Sequence, residues 1–238
     1  MLLFERLFFL CVLLSAVATS CLSCVPVHSV KRTIVLSEQT DAVKLWPSVT
    51  KLSTIPSNPQ KDPGYTVATG WAIDKDHVMT AGHFCESAWE AKTLKKATGG
   101  IRLDSVDQTG RTVERTMGKI IAWVSDDYND MCLIESKDHG LVPLEIEPDL
   151  SAVETEDRII SVGGPRGQFA IRREGFVWAV TDEVLLIGVE IQPGNSGGPI
   201  VWQGKVIGMV IMSIGDLNEA GIAVKSTELL KFIEKHIK

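Results

Sequence analysis

Residues 192–199 read Gln-Pro-Gly-Asn-Ser-Gly-Gly-Pro, and an apolar run, Pro-Ile-Val-Trp at 199–202, follows at once. The stretch places Ser196 between glycines, which tolerate unusual backbone angles and let a second chain come close. A strand directly after such a loop would hold the serine on a rigid element. These residues alone permit two interpretations, a tight turn between strands or a loop that presents Ser196 as a nucleophile.

Two polar residues stand at the edges of apolar segments upstream of Ser196. His83 follows Val-Met-Thr-Ala-Gly at 78–82, and Asp130 leads into Met-Cys-Leu-Ile at 131–134. The chain order His83, Asp130, Ser196 is one of the few in which a Ser-His-Asp triad is built. Three such signals in this order favour the interpretation of Ser196 as a nucleophile.

The same motifs resemble the three active-site motifs of the trypsin-like (chymotrypsin-fold) serine peptidases. The matching stretches are Thr-Ala-Gly-His at 80–83, Asp-Met-Cys-Leu-Ile at 130–134 and Gly-Asn-Ser-Gly-Gly-Pro at 194–199. Within that superfamily the chain is most similar to the bacterial and viral branch that includes the HtrA/Deg proteases. A glycine-proline stretch at 161–167 and a closing segment at 221–224 add to the similarity, which covers about residues 62–238.

Short apolar runs separated by turn residues follow one another from Tyr65 to Met212 and predict an all-β fold. One helix is predicted at 227–237, with Ser226 as its N-cap and one apolar face. The resemblance implies two six-stranded antiparallel β-barrels with this C-terminal helix packed across them. In the predicted peptidase domain at 61–238, the first barrel covers about 61–145 and the second about 150–225.

The N-terminal residues 1–18 have the pattern of an export signal, with Arg6 before an apolar run too short to span a bilayer. Two processing routes stay open. Cleavage after the small residues at 16–18 would leave Thr19 first, whereas Ala-Thr-Ser-Cys at 18–21 resembles a lipobox that would end the signal at residue 20 and leave Cys21 lipidated. Both routes export the chain, and only the second attaches it to a membrane. Residues 19–60 are predicted to be a linker.

Composition excludes several kinds of partner. The net charge is −6 and no basic cluster occurs, so we expect no nucleic-acid partner. The five histidines are scattered, and no Cys/His spacing suggests a metal site, so we expect no metal and no cofactor. Cys85 and Cys132 lie beside two triad members and must be close in space. They are either a disulfide, as in exported proteins, or two buried thiols.

The motifs assign a role to each candidate catalytic residue. Ser196 is the nucleophile, His83 the general base and then acid, and Asp130 the residue that fixes the imidazole tautomer. Asp126 and Asp127 are rivals to Asp130, but they lie in a polar turn rather than against an apolar run. The backbone N–H groups of Gly194 and Ser196 are the candidate oxyanion hole.

Substrate binding is assigned by the resemblance to Glu190 and to Ile211, Met212 and Ser213. The latter three would form a pocket wall that pairs with the substrate backbone. Glu190 lies six residues before the serine, where the resemblance places the pocket floor. The alternative is that Glu190 occupies the outward position of an alternating strand, which avoids burying an unpaired carboxylate.

The leading hypothesis is a secreted serine endopeptidase that cleaves protein or peptide substrates through an acyl-enzyme. The alternative is a non-catalytic secreted binding module on the same fold, with an esterase as a third option. The sequence ends at the helix, so we expect no PDZ domain of the kind that follows in many HtrA proteins. Asn195 cannot pair with an ammonium group as a charged residue could, so we expect no activation by proteolysis.

Overall fold

The structure is a computed structural model, and it describes residues 45–60, 66–107, 111–168, 171–215 and 217–237. The predicted export signal, both candidate processing sites and Cys21 lie outside the described residues. Within these ranges, no helix is long and apolar enough to cross a membrane.

Six strands close the first barrel in the order β1-β2-β3-β6-β5-β4, with each neighbouring pair antiparallel. Their bounds are β1 Val49–Pro56, β2 Val67–Ala72, β3 His77–Thr80, β4 Ala97–Val106, β5 Thr112–Ser125 and β6 Asp130–Glu135. Helix α1, Gly82–Thr93, connects β3 to β4 and buries Phe84, Cys85 and Ala88 against the strands.

Six further strands close the second barrel in the order β10-β11-β12-β9-β8-β7, again antiparallel throughout. Their bounds are β7 Arg158–Gly163, β8 Ile171–Val180, β9 Leu185–Gly188, β10 Pro199–Trp202, β11 Lys205–Ile214 and β12 Leu217–Lys225. Helix α2, Ser226–His236, follows β12. The prediction of an all-β protein with two six-stranded barrels and a C-terminal helix is confirmed.

A shared apolar core joins the two barrels. It brings Trp71 and Met79 of the first barrel against Val206 and Met209 of the second, and Leu229 of α2 packs into the same cluster. Full burial of a side chain of this size stabilises a protein by about 1.5–3 kcal/mol. The barrels and the helix therefore pack as one body, and the groove between the barrels has fixed walls.

The predicted boundary between linker and first barrel, at residue 60, is wrong. β1 begins at Val49 and pairs with both β2 and β4, so the barrel could not close without it. Its polar residues suggested a linker, yet Thr50, Ser53 and Thr54 are buried. The hydroxyl of Thr54 accepts the N–H of Thr66 at 3.1 Å, which offsets part of the cost of burying polar side chains in this strand.

Two helix predictions also need correction. The sequence predicted one helix, at 227–237, whereas the structure has a second helix, α1, that includes His83; its flanking residue Ala81 offers no side-chain cap that would mark the start. Helix α2 begins at Ser226, one residue earlier than predicted, with Lys225 in the cap position. The Ser226 hydroxyl is buried and, among the described residues, has no hydrogen-bond partner, so it is not the N-cap.

Candidate active site

His83 and Asp130 form the best-defined pair in the cleft. The carboxylate of Asp130 accepts one hydrogen bond from the His83 ring at Nδ1 and another from the His83 backbone N–H, each 2.6 Å long. The Asp130 side chain is 7% exposed and that of His83 44%. Asp130 therefore holds both the ring and the backbone of His83 from a buried position, while the imidazole remains open to the cleft.

The close approach of these two residues depends on Gly82. A Cβ atom at this position would lie 1.8 Å from the carbonyl oxygen of Val124 and 2.8 Å from Oδ1 of Asp130. Only a glycine lets the start of α1 lie directly against β5 and β6. The Gly-His pair of the motif is therefore a packing requirement as well as a chemical one.

A disulfide reinforces the same corner of the first barrel. Cys85 of α1 and Cys132 of β6 are joined, with their Cα atoms 6.3 Å apart. Each cysteine lies two residues beyond a member of the His83–Asp130 pair. Of the two alternatives that the sequence left open, the structure has the disulfide.

Ser196 lies in the loop between β9 and β10 and is held mainly by backbone hydrogen bonds. Its carbonyl accepts the N–H of Thr69 at 2.9 Å, and the N–H of Gly197 donates to Val210 at 2.7 Å. Gly197 has a φ of +83°, and a Cβ atom there would lie 2.8 Å from the backbone nitrogen of Ala81. The serine loop thus touches the segment that leads into His83.

The Ser196 hydroxyl faces a carbonyl rather than the histidine. Its Oγ donates to the carbonyl oxygen of Ile211 at 3.5 Å, and in the described part of the chain no hydrogen bond joins it to His83. The pairing of β11 with β12 shifts register between Val210 and Met212, which leaves Ile211 in a bulge. Bulges of this kind often re-aim backbone groups beside active sites.

The candidate oxyanion donors are free. In the residues that the structure describes, no protein acceptor receives the N–H of Gly194 or the N–H of Ser196. The neighbouring N–H groups are all occupied, since Asn195 donates to Gln192 at 3.0 Å and Gly198 donates to Asn195 at 2.9 Å. Two unoccupied donors on either side of Asn195 can bind a developing negative charge.

The four residues predicted to bind substrate differ in their exposure and in their partners. Ile211 is buried, Met212 is 40% exposed and Ser213 is half-buried, all on β11. Glu190 lies beyond the end of β9, so it is not part of a strand. Its carboxylate pairs with Arg173, 3.2 Å away, and also accepts a hydrogen bond from Gln192. Glu190 is therefore half-exposed with its charge already matched.

Two neighbours of the serine loop escaped the sequence analysis. Thr69 of β2 donates its hydroxyl to the carbonyl of Gly194 at 2.8 Å, and the N–H of Arg166 donates to the carbonyl of Pro193 at 2.7 Å. A lone hydroxyl in the apolar strand β2 was a weak signal for Thr69. Arg166 acts through its backbone, so its side chain gave none. In the described ranges, no group of three His, Cys, Asp or Glu residues could hold a metal ion.

Comparisons with known proteins identify the family of this chain. The family model of the trypsin-like peptidase domain matches residues 68–209. The serine protease Do-like HtrA of Bacillus subtilis (strain 168) is 26% identical over 129 residues, which cover 47% of this chain and 29% of that protein. The chain thus spans less than a third of this relative's length.

Solved structures share the fold at low sequence identity. The active form of the Rv3671c protease from M. tuberculosis superposes with a TM-score of 0.61 at 19% identity, over 80% of this chain and 81% of that one. The serine endoprotease from Yersinia pestis gives 0.62 at 20% identity, over 80% and 63%. Deg5 gives 0.62 at 19% identity, over 79% and 88%.

These findings confirm the resemblance that the motifs suggested. The family model covers more than half of the chain, including His83, Asp130 and Ser196. The family implies the enzyme class of serine-type endopeptidases, and the relatives above include an HtrA protease and Deg5. The chain therefore belongs to the family of trypsin-like peptidase domains.

Proposed function

We propose that this protein is an exported serine endopeptidase that hydrolyses protein or peptide substrates through an acyl-enzyme. The observation that carries the proposal is the pair of hydrogen bonds between Asp130 and His83. One hydrogen bond of 2.6 Å turns Nδ1 of the imidazole to the carboxylate, and a second, also 2.6 Å long, holds the backbone N–H of His83. This arrangement leaves Nε2 as the free nitrogen, which is the state that a general base needs.

In the acylation step, Ser196 Oγ attacks the carbonyl carbon of the scissile bond. Its proton passes to Nε2 of His83, and Asp130 stabilises the resulting imidazolium. The hydroxyl must first turn away from the carbonyl of Ile211, which it faces at 3.5 Å. Catalytic hydrogen bonds are often long in free enzymes and tighten once substrate is bound.

The negative charge that forms on the substrate oxygen is bound by the N–H groups of Gly194 and Ser196. His83 then gives its proton to the leaving amine as the C–N bond breaks. Water repeats the same steps on the ester: His83 takes a proton from the water, and Ser196 Oγ leaves with that proton. None of these proposed reaction steps requires a cofactor or a metal.

Substrate selection is proposed to involve Met212 and Ser213 as an edge for the substrate backbone, beside the buried Ile211. The pairing of Glu190 with Arg173 argues against a free negative charge at the pocket floor. We therefore propose that cleavage does not require Lys or Arg before the scissile bond. A peptide library profiled with wild type and with Glu190→Ala tests this, and a strict preference for Lys or Arg that is lost in the variant would contradict it.

Export is proposed from the apolar run of residues 1–18 and from Arg6, which precedes it. The Cys85–Cys132 disulfide supports it, because disulfides persist mainly in oxidising compartments. N-terminal sequencing of the protein from a secreting host distinguishes the two processing routes. A free Thr19 indicates simple secretion, a lipidated Cys21 indicates a membrane anchor, and an intact residue 1 contradicts export.

Hydrolysis of labelled casein tests the proposed activity. Wild type should cleave casein, whereas Ser196→Ala and His83→Ala should each lose roughly a million-fold in kcat, because the members of a catalytic triad act as a unit. Ser57→Ala is the matched control, because Ser57 is exposed and lies away from the loop. A wild type that binds casein without cutting it would instead favour the binding module.

A further inference from the structure

Thr69 occupies an unusual position between the two barrels. It is fully buried in β2 of the first barrel, yet among the described residues both partners of its hydroxyl belong to the second barrel. The hydroxyl donates to the carbonyl of Gly194 at 2.8 Å and accepts the N–H of Gly164 at 3.0 Å. Its donor and acceptor capacity are both used across the cleft, so the residue connects the serine loop to the segment after β7.

That segment, Gly164–Gln168, contacts both Thr69 and the serine loop, and we call it the brace loop. The N–H of Arg166 donates to the carbonyl of Pro193 at 2.7 Å. A trans peptide is planar, and its C=O and N–H point in opposite directions. Because the Pro193 carbonyl points to the brace loop, the N–H of Gly194 must point away from it, on the side where no protein acceptor is found among the described residues.

Both peptide planes that flank Gly194 are therefore fixed by contacts from outside the serine loop. The Pro193–Gly194 plane is held by Arg166, and the carbonyl of Gly194 is held by Thr69. Gly194 has a φ of +101° and no side chain to restrict it, and a Cβ atom there would lie 2.3 Å from the carbonyl oxygen of Gly164. A glycine peptide has little conformational preference of its own.

The brace loop is in turn held from the first barrel. Lys51 of β1 donates from Nζ to the carbonyl of Gly167 at 3.1 Å. Within the loop, the N–H of Gly167 donates to Gly164 at 3.1 Å, and Arg166 has a φ of +51°, which is rare for a residue with a side chain. A loop with such a conformation needs support from its surroundings, and Thr69 and Lys51 provide it at its two ends.

We propose that Thr69 is a positioning residue that, with the brace loop and Lys51, turns the N–H of Gly194 toward the oxyanion. The proposal rests on the proposed function and adds a residue to it. Without the hydroxyl, the carbonyl of Gly194 and the N–H of Gly164 lose their shared partner, and the Gly194 peptides can rotate. The donor is then present but misdirected, which weakens binding of the transition state more than binding of the substrate.

The test compares Thr69→Val, which keeps the shape and removes the hydroxyl, with Thr69→Ser, which keeps the hydroxyl. An internally quenched peptide chosen from a library for turnover by wild type gives kcat and KM for each. Loss of an oxyanion donor costs about 10²–10³ in kcat, so misdirecting one in Thr69→Val should cost roughly ten- to a hundredfold. KM should stay within about twofold, and Thr69→Ser should restore most of kcat.

Folding is checked for each variant by near-UV circular dichroism. This check is needed because Thr69→Val leaves the buried carbonyl of Gly194 and N–H of Gly164 without their partner. If Thr69→Val does not fold, Lys51→Met replaces it, because Lys51 supports the same loop from a partly exposed position. This variant should lower kcat severalfold at unchanged KM. The positioning role is overturned if folded Thr69→Val keeps the wild-type kcat, or if Lys51→Met does so where Thr69→Val does not fold. Either result leaves the proposed function intact. A wild type without any turnover contradicts both proposals.

Discussion

On the first-barrel side of the cleft, His83 is held by two hydrogen bonds to a carboxylate, and a disulfide ties its helix to the strand of Asp130. On the second-barrel side, the segment around Ser196 is held by backbone hydrogen bonds, one of which comes from the N–H of Thr69 in the first barrel. The first arrangement depends on charge and covalent chemistry within one barrel. The second depends on backbone geometry between barrels, so the two sides should fail in different ways.

The largest effect is expected from Asp130→Asn, which breaks the first-barrel side through its chemistry. Both carboxylate oxygens accept N–H groups of His83, and an amide can accept only one of them. We expect kcat to fall by about 10⁴ while the fold persists. Peptide hydrolysis measures this, with the exposed Asp127→Asn as control. A loss of less than about tenfold would remove Asp130 from the triad.

The second-barrel side should fail through its backbone, and two glycines with positive φ provide a matched pair. A Cβ atom at Gly197 would lie 2.2 Å from the carbonyl oxygen of Thr69, whereas one at Gly215 would meet nothing within 4 Å. Gly215→Ala should cost about 1 kcal/mol from backbone strain alone. Gly197→Ala should cost about 3 kcal/mol or more, because backbone must also move. Urea unfolding compares them, and equal costs would contradict the close packing of the serine loop.

Removal of the disulfide tests the covalent part of the first-barrel side. The double variant Cys85→Ala/Cys132→Ala should lose about 2–4 kcal/mol of the free energy of unfolding. Because the hydrogen bonds of Asp130 remain, the folded variant should still cleave peptide at low temperature. Denaturant unfolding and a peptide assay measure the two effects separately. Unchanged stability would show that the bond adds nothing to this corner.

A smaller effect, confined to stability, is expected from His139 of the first barrel. His139 is 1% exposed, and this burial lowers its pKa. Hydrogen bonds to the backbone of His77 and Asp74 and the charges of Asp74 and Asp76 raise the pKa, but the effect of burial is larger. The unfolded chain therefore takes up a proton near pH 6.5 that the folded chain does not. Stability should be full above this pH and fall as the pH drops below it.

His139→Gln isolates this contribution. The free energy of unfolding of the variant should depend less on pH between about 7 and 5 than that of wild type, whatever its absolute value. Identical slopes would show that His139 is protonated equally in both states. Peptide cleavage by the folded variant at pH 7 should be unaffected, because in the described part of the chain the polar partners of His139 are Leu141, His77, Asp74 and Asp76.

Much of the fold could be predicted because the motifs and the strands coincide. β10 lies where the sequence placed a strand after the serine loop, β3 covers most of the apolar segment before His83, and Asp130 begins β6 at the start of its apolar run. Helix α1 was missed because its buried residues, Phe84, Cys85 and Ala88, cover only one narrow face. β1 was missed because its buried hydroxyls have the composition of a linker. In both cases tertiary burial outweighed local sequence preference.

The candidate site likewise has residues that could be predicted from the sequence and contacts that could not. His83, Asp130 and Ser196 carry side-chain chemistry, so motifs could locate them. Thr69 and Gly194 are joined by a hydrogen bond across 125 positions of the chain, and Arg166 contributes only its N–H. No local pattern encodes such contacts. Glu190 shows the same limit, because its pairing with Arg173 decides its charge and could not be read from its neighbours.

The central claim is that Ser196 is a nucleophile activated by His83. Labelling with a fluorophosphonate, followed by mass spectrometry of the digested protein, tests it most directly, because the reagent forms a stable bond with an activated serine. We predict a single adduct, on Ser196, that is absent in His83→Ala and present in Ser57→Ala. An adduct on another serine, or equal labelling of Ser196 in His83→Ala, would contradict the claim.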